Sequence, residues 1–142
     1  MNLISKSDAP QSQSRSVDPI LWVSNELLPK EYRDLSLSVH ADWAEAQSSI
    51  QAERLLQTGR FSVVLISSDL GRNVALDLLY LAKIHQTFSS RIFRSEDLTE
   101  RVIREGINRG QVLRVIPQSL DVRTFHGFLN GALEKHLQRS QQ

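Results

Sequence analysis

From residue 19 onward, short apolar runs alternate with segments whose apolar positions recur at helical spacing. Pro19–Val23 is continuously apolar and breaks at Ser24-Asn25, as a strand buried on both faces does. Leu35–His40 alternates apolar and polar with period two and predicts a second, half-covered strand. Phe61–Ile66, Arg91–Phe93 and Val112–Ile116 complete a set of five predicted strands. Between them, Trp43, Ala46, Ile50 and Leu55 or Leu56 share one helical face, closed by Gly59. A second helix spans Val74 to Ile84, with Ala75, Leu78, Leu79 and Ala82 inward. A third carries Leu98, Val102 and Ile103, opened by Ser95-Glu96-Asp97 and ended near Gly110. The last starts at Asp121, an N-cap residue type, and holds Phe125, Phe128, Leu129, Ala132, Leu133 and His136 in register.

Strand–helix alternation through five strands predicts a doubly wound α/β domain with a parallel sheet covered on both sides. Only about nine residues, Pro29 among them, separate Asn25 from the expected second strand. A three-turn helix with two loops does not fit there, so the first helix is expected to be a stub of one or two turns.

The Ser- and Gln-rich residues 1–17 lack the large apolar side chains that would offset the entropy of ordering, and they read as a disordered leader. Residues 18–138 form the expected domain, and 139–142 a tail or the start of a linker. The last helix has no Gly or Pro stop, so the chain is expected to continue into a C-terminal output domain.

Composition narrows the function classes. The 142 residues carry 17 Lys and Arg against 16 Asp and Glu, a net charge of +1 that supplies no field for nucleic acid or an anionic surface. Residues 1–90 are slightly acidic and 91–142 slightly basic, an imbalance too small to name a partner. With no cysteine there is no disulfide, thiol nucleophile or thiolate metal site, which fits a cytoplasmic setting. No apolar run approaches the ~18 residues of a membrane span. The four histidines include no pair at metal-ligand spacing; His126 and His136 point about 80° apart on their helix.

Against this layout the sequence resembles the receiver domain of bacterial two-component response regulators over about residues 19–137. Receiver third strands end in a pattern like FDVVISD, and Phe61–Ser67 reads FSVVLIS here, followed by a loop and helix at the same spacing. The segment Arg91–Leu120 is similar to receivers joined to cyclic-di-nucleotide enzymes, with Ile107-Asn108-Arg109-Gly110 matching their IN-x-G run. The resemblance implies a flavodoxin-like fold. It also implies five chemical side chains: an acceptor aspartate, two Mg²⁺-binding carboxylates, a hydroxyl and a lysine.

Four of those five side chains are missing. Ser67 stands at the phospho-acceptor position, Ser24-Asn25 at the acidic pair with Glu26 the only acid beside it, and Gln118 at the lysine. Only the hydroxyl persists, as Ser95; Ser119 replaces the following proline, and Val115 the aromatic switch residue. A serine hydroxyl without an adjacent base is a poor nucleophile, and a lone carboxylate seldom holds Mg²⁺. Asp69 reads as a turn residue of Ser-Ser-Asp-Leu-Gly. A Ser67→Asp change is expected to leave the site inert and the fold near neutral in stability.

The expectation is therefore a pseudo-receiver. It would be a phosphorylation-independent signalling module without enzymatic activity, cofactor or metal, which binds a protein partner or forms a homodimer. Arg101, Arg104 and Arg114 are the interface candidates, in a basic group that also includes Arg94 and Arg109. Two alternatives are a small-ligand sensor using the vacated pocket, lined by Ser24, Asn25, Ser67 and Ser95, and an atypical phospho-receiver using Asp69 or Ser67.

Overall fold

A computed structural model describes residues 16–140. The expected leader lies outside the described residues except for Ser16, which bridges to His40, and Val17, whose amide donates to His40 O at 3.0 Å. The elements run β1 (Ile20–Val23), α1 (Lys30–Arg33), β2 (Trp43–Ala46), α2 (Ser49–Thr58), β3 (Val63–Ser67), α3 (Arg72–His85), β4 (Ser90–Ser95), α4 (Glu100–Gly110), β5 (Arg114–Pro117) and α5 (Val122–Ser140). All strands pair in parallel, in the order β2-β1-β3-β4-β5.

The sheet separates two cores. Leu21, Val23, Val64, Ile66 and Phe93 face α2, α3 and α4, while Ile20, Trp22, Val63, Leu65, Ile92 and Ile116 face α1 and α5. This is why β1 is apolar throughout and β3 apolar up to its final Ser67: each is buried on both faces. The first helix is a stub as expected, four residues long, although the connection that holds it spans residues 24–42. Its Tyr32 stacks on Phe125 with ring centroids 3.8 Å apart, stands edge-on to Trp22 and donates its hydroxyl to Leu120 O at 2.5 Å. One aromatic side chain thus anchors a helix too short to hold itself.

The second strand departs from expectation. Leu35–His40 is an irregular connection that bends at Ser38 and Val39, and the strand lies at Trp43–Ala46, paired with β1 from Ile20↔Trp43 to Val23↔Ala46. The period-two pattern is real, since Leu35, Leu37 and Val39 pack toward the α5 core. Apart from the bridge at His40, its backbone bonds to α5 side chains: the Ser38 amide donates to Asn130 Oδ1 at 2.9 Å, and Ser36 O lies 2.7 Å from His126 Nε2. Trp43 and Ala46 accordingly belong to a strand and not to the following helix. That helix starts after the N-cap Ser48, and Ile50, expected inward, is 75% exposed. The third helix pattern likewise opens at the N-cap Thr99, with Ser95 left at the end of β4.

Two polar residues inside the fold have structural tasks. Gln86 accepts from the Phe61 amide and donates to Leu56 O and Gly59 O, closing the C-terminus of α2. Gly110 ends α4 against α3, where a Cβ would stand 2.8 Å from Leu79 Cβ. That close approach gives the IN-x-G segment a physical reason for its glycine.

Candidate functional site

In a doubly wound sheet the loops at the C-terminal strand ends converge on one crevice. Here the loops after β1, β3 and β5 bring Ser24, Asn25, Ser67 and Gln118 together. The side chain at their centre is Asp69. β3 ends at the buried Ser67, a 3₁₀ turn covers Ser68–Leu70, and Gly71 at φ +106° turns the chain into α3. This places Asp69 in a turn, as its sequence context predicts, but its carboxylate points back into the crevice. The turn reading did not anticipate this central placement; the sequence signal for it was an acid two residues past the acceptor position, which only the alternative phospho-receiver reading used.

Three donors hold that carboxylate. Ser24 Oγ donates to Oδ2 at 2.5 Å, the Asn25 amide to Oδ1 at 3.0 Å, and Gln118 Nε2 to Oδ2 at 3.2 Å. Asn25 Nδ2 also donates to the Asp69 backbone carbonyl at 2.6 Å. Ser67 contacts the same glutamine: Gln118 Nε2 donates to Ser67 Oγ at 2.8 Å, and Ser67 Oγ donates to Gln118 Oε1 at 3.1 Å. Ser24 and Ser67 are fully buried, so their hydroxyls need these partners. One carboxylate thereby ties together the β1–α1, β3–α3 and β5–α5 loops.

Two expected pocket residues are placed differently. Glu26 turns outward, 63% exposed, and its carboxylate lies 3.6 Å from Arg94. Ser95 Oγ donates to Asp97 O at 2.8 Å and accepts from the Asp97 amide at 3.2 Å, so it closes its own turn and does not touch Asp69. The hydroxyl retained from the receiver pattern is occupied locally.

Arg94 is the buried cation of this end of the sheet, which removes it from the surface basic group expected from sequence. Its guanidinium carbon lies 4.3 Å from the Trp22 ring centre, and Nη2 donates to Gln118 O at 2.7 Å. Burial pulls its pKa down, and the Glu26 and Asp69 carboxylates oppose that pull. Beyond it, a shallow cavity of about 470 Å³ opens between α1 and the β5–α5 loop, lined by Glu26, Tyr32, Arg94, Leu120 and Asp121.

The donor set does not fit Mg²⁺. That ion demands several hard oxygen ligands around one point. The crevice presents a single carboxylate already receiving three hydrogen bonds, and the adjacent acid faces a guanidinium. Among the described residues, no three His, Asp or Glu side chains gather as a metal-ligand group.

The three interface candidates are all exposed. Arg101 and Arg104 lie on α4, where Arg104 pairs with Glu100; Arg114 lies on the edge strand β5, over the Phe128 ring at 4.9 Å. Arg109 is engaged by Asp77 of α3 at 2.5 Å. Val115 packs half-buried against the α2–α4 core. No helix among the described residues is long and apolar enough to cross a membrane.

No family model and no curated protein matches the chain. Solved structures do. The signal receiver domain of an HD domain-containing protein from Pseudomonas fluorescens Pf-5 is similar at 21% identity, with a TM-score of 0.73 over 88% of this chain and 98% of that one. A CheY-like response regulator receiver domain protein from Methanospirillum hungatei JF-1 gives 12% identity and a TM-score of 0.69 over 88% and 98%. A chain described as adenylate cyclase from Rhodopirellula baltica gives 20% and 0.71 over 90% and 94%. The chain has the receiver, flavodoxin-like fold.

Proposed function

We propose that this chain is a degenerate receiver: a signalling module without catalytic activity that binds a protein partner, or a second copy of itself, independently of phosphorylation. The observation that supports this most directly is Asp69. In the receiver scheme, charge added at the end of strand three draws in the surrounding loops through metal, hydroxyl and lysine contacts. Here a carboxylate supplied by the chain itself already bonds to loops on either side, through Ser24, Asn25 and Gln118. The loop arrangement then follows from folding and not from modification. Such a module serves as a fixed docking surface, placed beside an output domain or recognised by one.

One observation favours a second reading, in which Asp69 is itself a displaced phospho-acceptor: its carboxylate lies in the crevice. The surroundings weigh against it. Both oxygens are occupied by donors, and the nearby acid Glu26 is committed to Arg94. A ligand sensor in the same crevice is disfavoured for a related reason, since the neutral groups that would grip a ligand are already engaged: Ser24 and Asn25 by Asp69, Ser67 by Gln118 and Ser95 by its own turn.

Acetyl phosphate with Mg²⁺ separates these readings. The intact mass is expected to stay unchanged, and a stable phosphoryl adduct on Asp69 or any other residue rejects the degenerate-receiver reading. The docking half has its own test, the triple reversal Arg101→Glu, Arg104→Glu and Arg114→Glu. It is expected to abolish association with an unaltered circular dichroism spectrum; undiminished association would move the contact to another face.

A further inference from the structure

At the opposite end of β4 from Asp69, two guanidinium groups meet at one carbonyl oxygen. Arg91 Nη1 donates to Ser89 O at 3.1 Å, and Arg139 Nη1 donates to the same oxygen at 2.9 Å. Sharing one acceptor keeps the two nitrogens within about 6 Å of each other. Arg91 comes from β4 and is only 4% exposed, while Arg139 comes from α5 and is half-buried. Among the described residues no carboxylate lies within ion-pair distance of either.

Two positive charges this close need an opposing charge, and the fold supplies part of it. Arg91 Nε donates to Gly110 O at 2.7 Å, the last residue of α4, and Nη1 also donates to Gln86 O at 3.1 Å, just past α3. Each helix C-terminus carries about half a negative charge, so the two ends together offset about one guanidinium. Arg139 itself lies in the last turn of α5, whose end offsets part of the second guanidinium, and no carboxylate among the described residues completes the balance. Burial, followed by the neighbouring Arg139, pulls the Arg91 guanidinium down to about 10, which agrees with an electropositive spot lacking a carboxylate. Arg91 uses Nε and Nη1 in these contacts, and its Nη2 has no hydrogen-bond partner among the described residues.

We infer that Arg91 and Arg139 form a binding site for a small tetrahedral oxyanion of the phosphate type, at the N-terminal edge of the sheet. Guanidinium forks match such oxygens in pairs, and with Arg91 only 4% exposed a compact ion reaches both groups more readily than a bulky one. The site is independent of the Asp69 crevice and of the docking role proposed above.

Inorganic phosphate is the probe, with acetate at matched ionic strength as the comparison, against the full chain. Two charge-assisted contacts correspond to a Kd of about 1 mM. At that affinity ~20 mM phosphate shifts the folding equilibrium roughly twentyfold and raises Tm by about 5 °C. Phosphate also stabilises proteins generally by exclusion from their surfaces, so the deciding quantity is the difference from Arg139→Gln. That variant spares the Arg91 contacts to both helix ends. It should retain the wild-type circular dichroism spectrum and lose affinity at least tenfold by ³¹P line broadening. Arg139→Lys, which keeps the charge but not the fork, should fall between. Equal phosphate responses in the wild type and Arg139→Gln overturn the site, as does the absence of ³¹P broadening with the wild type.

Discussion

Replacing Asp69 with alanine tests whether its carboxylate joins the three loops or is incidental to its turn. Of its three donors, the Asn25 amide is exposed and Gln118 half-buried, so water replaces much of what those contacts contribute. The Ser24 contact is different. Ser24 is fully buried, and without Asp69 its hydroxyl hydrogen has no acceptor, a loss of about 1–3 kcal/mol. Adding a modest share for the other two contacts, Asp69→Ala should cost about 2–3 kcal/mol. In urea unfolding followed by circular dichroism, the midpoint should fall with an unchanged slope, and Tm should fall by roughly 6–10 °C. Ser24→Ala alone should cost about 1–2 kcal/mol, and the double variant little more than Asp69→Ala. The cycle then shows a coupling of about 1–2 kcal/mol. An Asp69→Ala cost below about 0.5 kcal/mol, or a coupling near zero, would return Asp69 to the role of a turn residue and leave the loops held by something else.

Three further outcomes follow from the same geometry. Ser67→Asp, which the sequence alone rates near neutral, should instead cost roughly 2 kcal/mol or more in urea unfolding, because it buries a second carboxylate beside Asp69 and disrupts the Ser67–Gln118 pair; it should still gain no mass with acetyl phosphate. Gly110→Ala should cost about 1–3 kcal/mol by the same measurement, since its Cβ would overlap Leu79 and the neighbouring Val112. Thr124, through its side chain and then its amide, holds the Asp121 carboxyl below its ordinary value of 3.8 at the start of α5. A folded-state pKa lowered in this way stabilises fully above the unfolded value, and that stabilisation is lost as pH falls through the folded one. Asp121→Asn should therefore flatten the fall of Tm below about pH 4 and leave its pH dependence near neutrality unaltered.

Much of the fold was written in local patterns. The continuous apolar runs at Pro19–Val23 and Phe61–Ile66 reported strands buried on both faces, because such burial leaves no polar position between. The stub helix was anticipated from a nine-residue gap, but that gap ended at the wrong strand: the connection to β2 spans residues 24–42, and the helix stays short because Leu35, Leu37 and Val39 pack beside α5 instead of extending it. Position in the receiver pattern also grouped Ser24, Asn25, Ser67 and Gln118, which meet, but it added Glu26 and Ser95, which turn to Arg94 and to a local turn.

What required the folded chain were choices between partners. Leu35–His40 alternates as a strand does, but alternation reports only which side chains are covered and not which backbone answers the amides. In the fold the Ser38 amide turns to Asn130 and the Ser36 carbonyl to His126, both on α5 and some ninety residues away in sequence, and the sheet edge passes to Trp43–Ala46. Asp69 could not be distinguished from an ordinary turn aspartate by its neighbours, because its donors come from loops 44 to 49 residues distant. Arg94 and Arg139 are arginines alike in the sequence. Only the packed sheet sets one over Trp22 beneath the crevice and the other beside Arg91 at the opposite edge, because burial and charge balance are properties of the assembled elements and not of any segment.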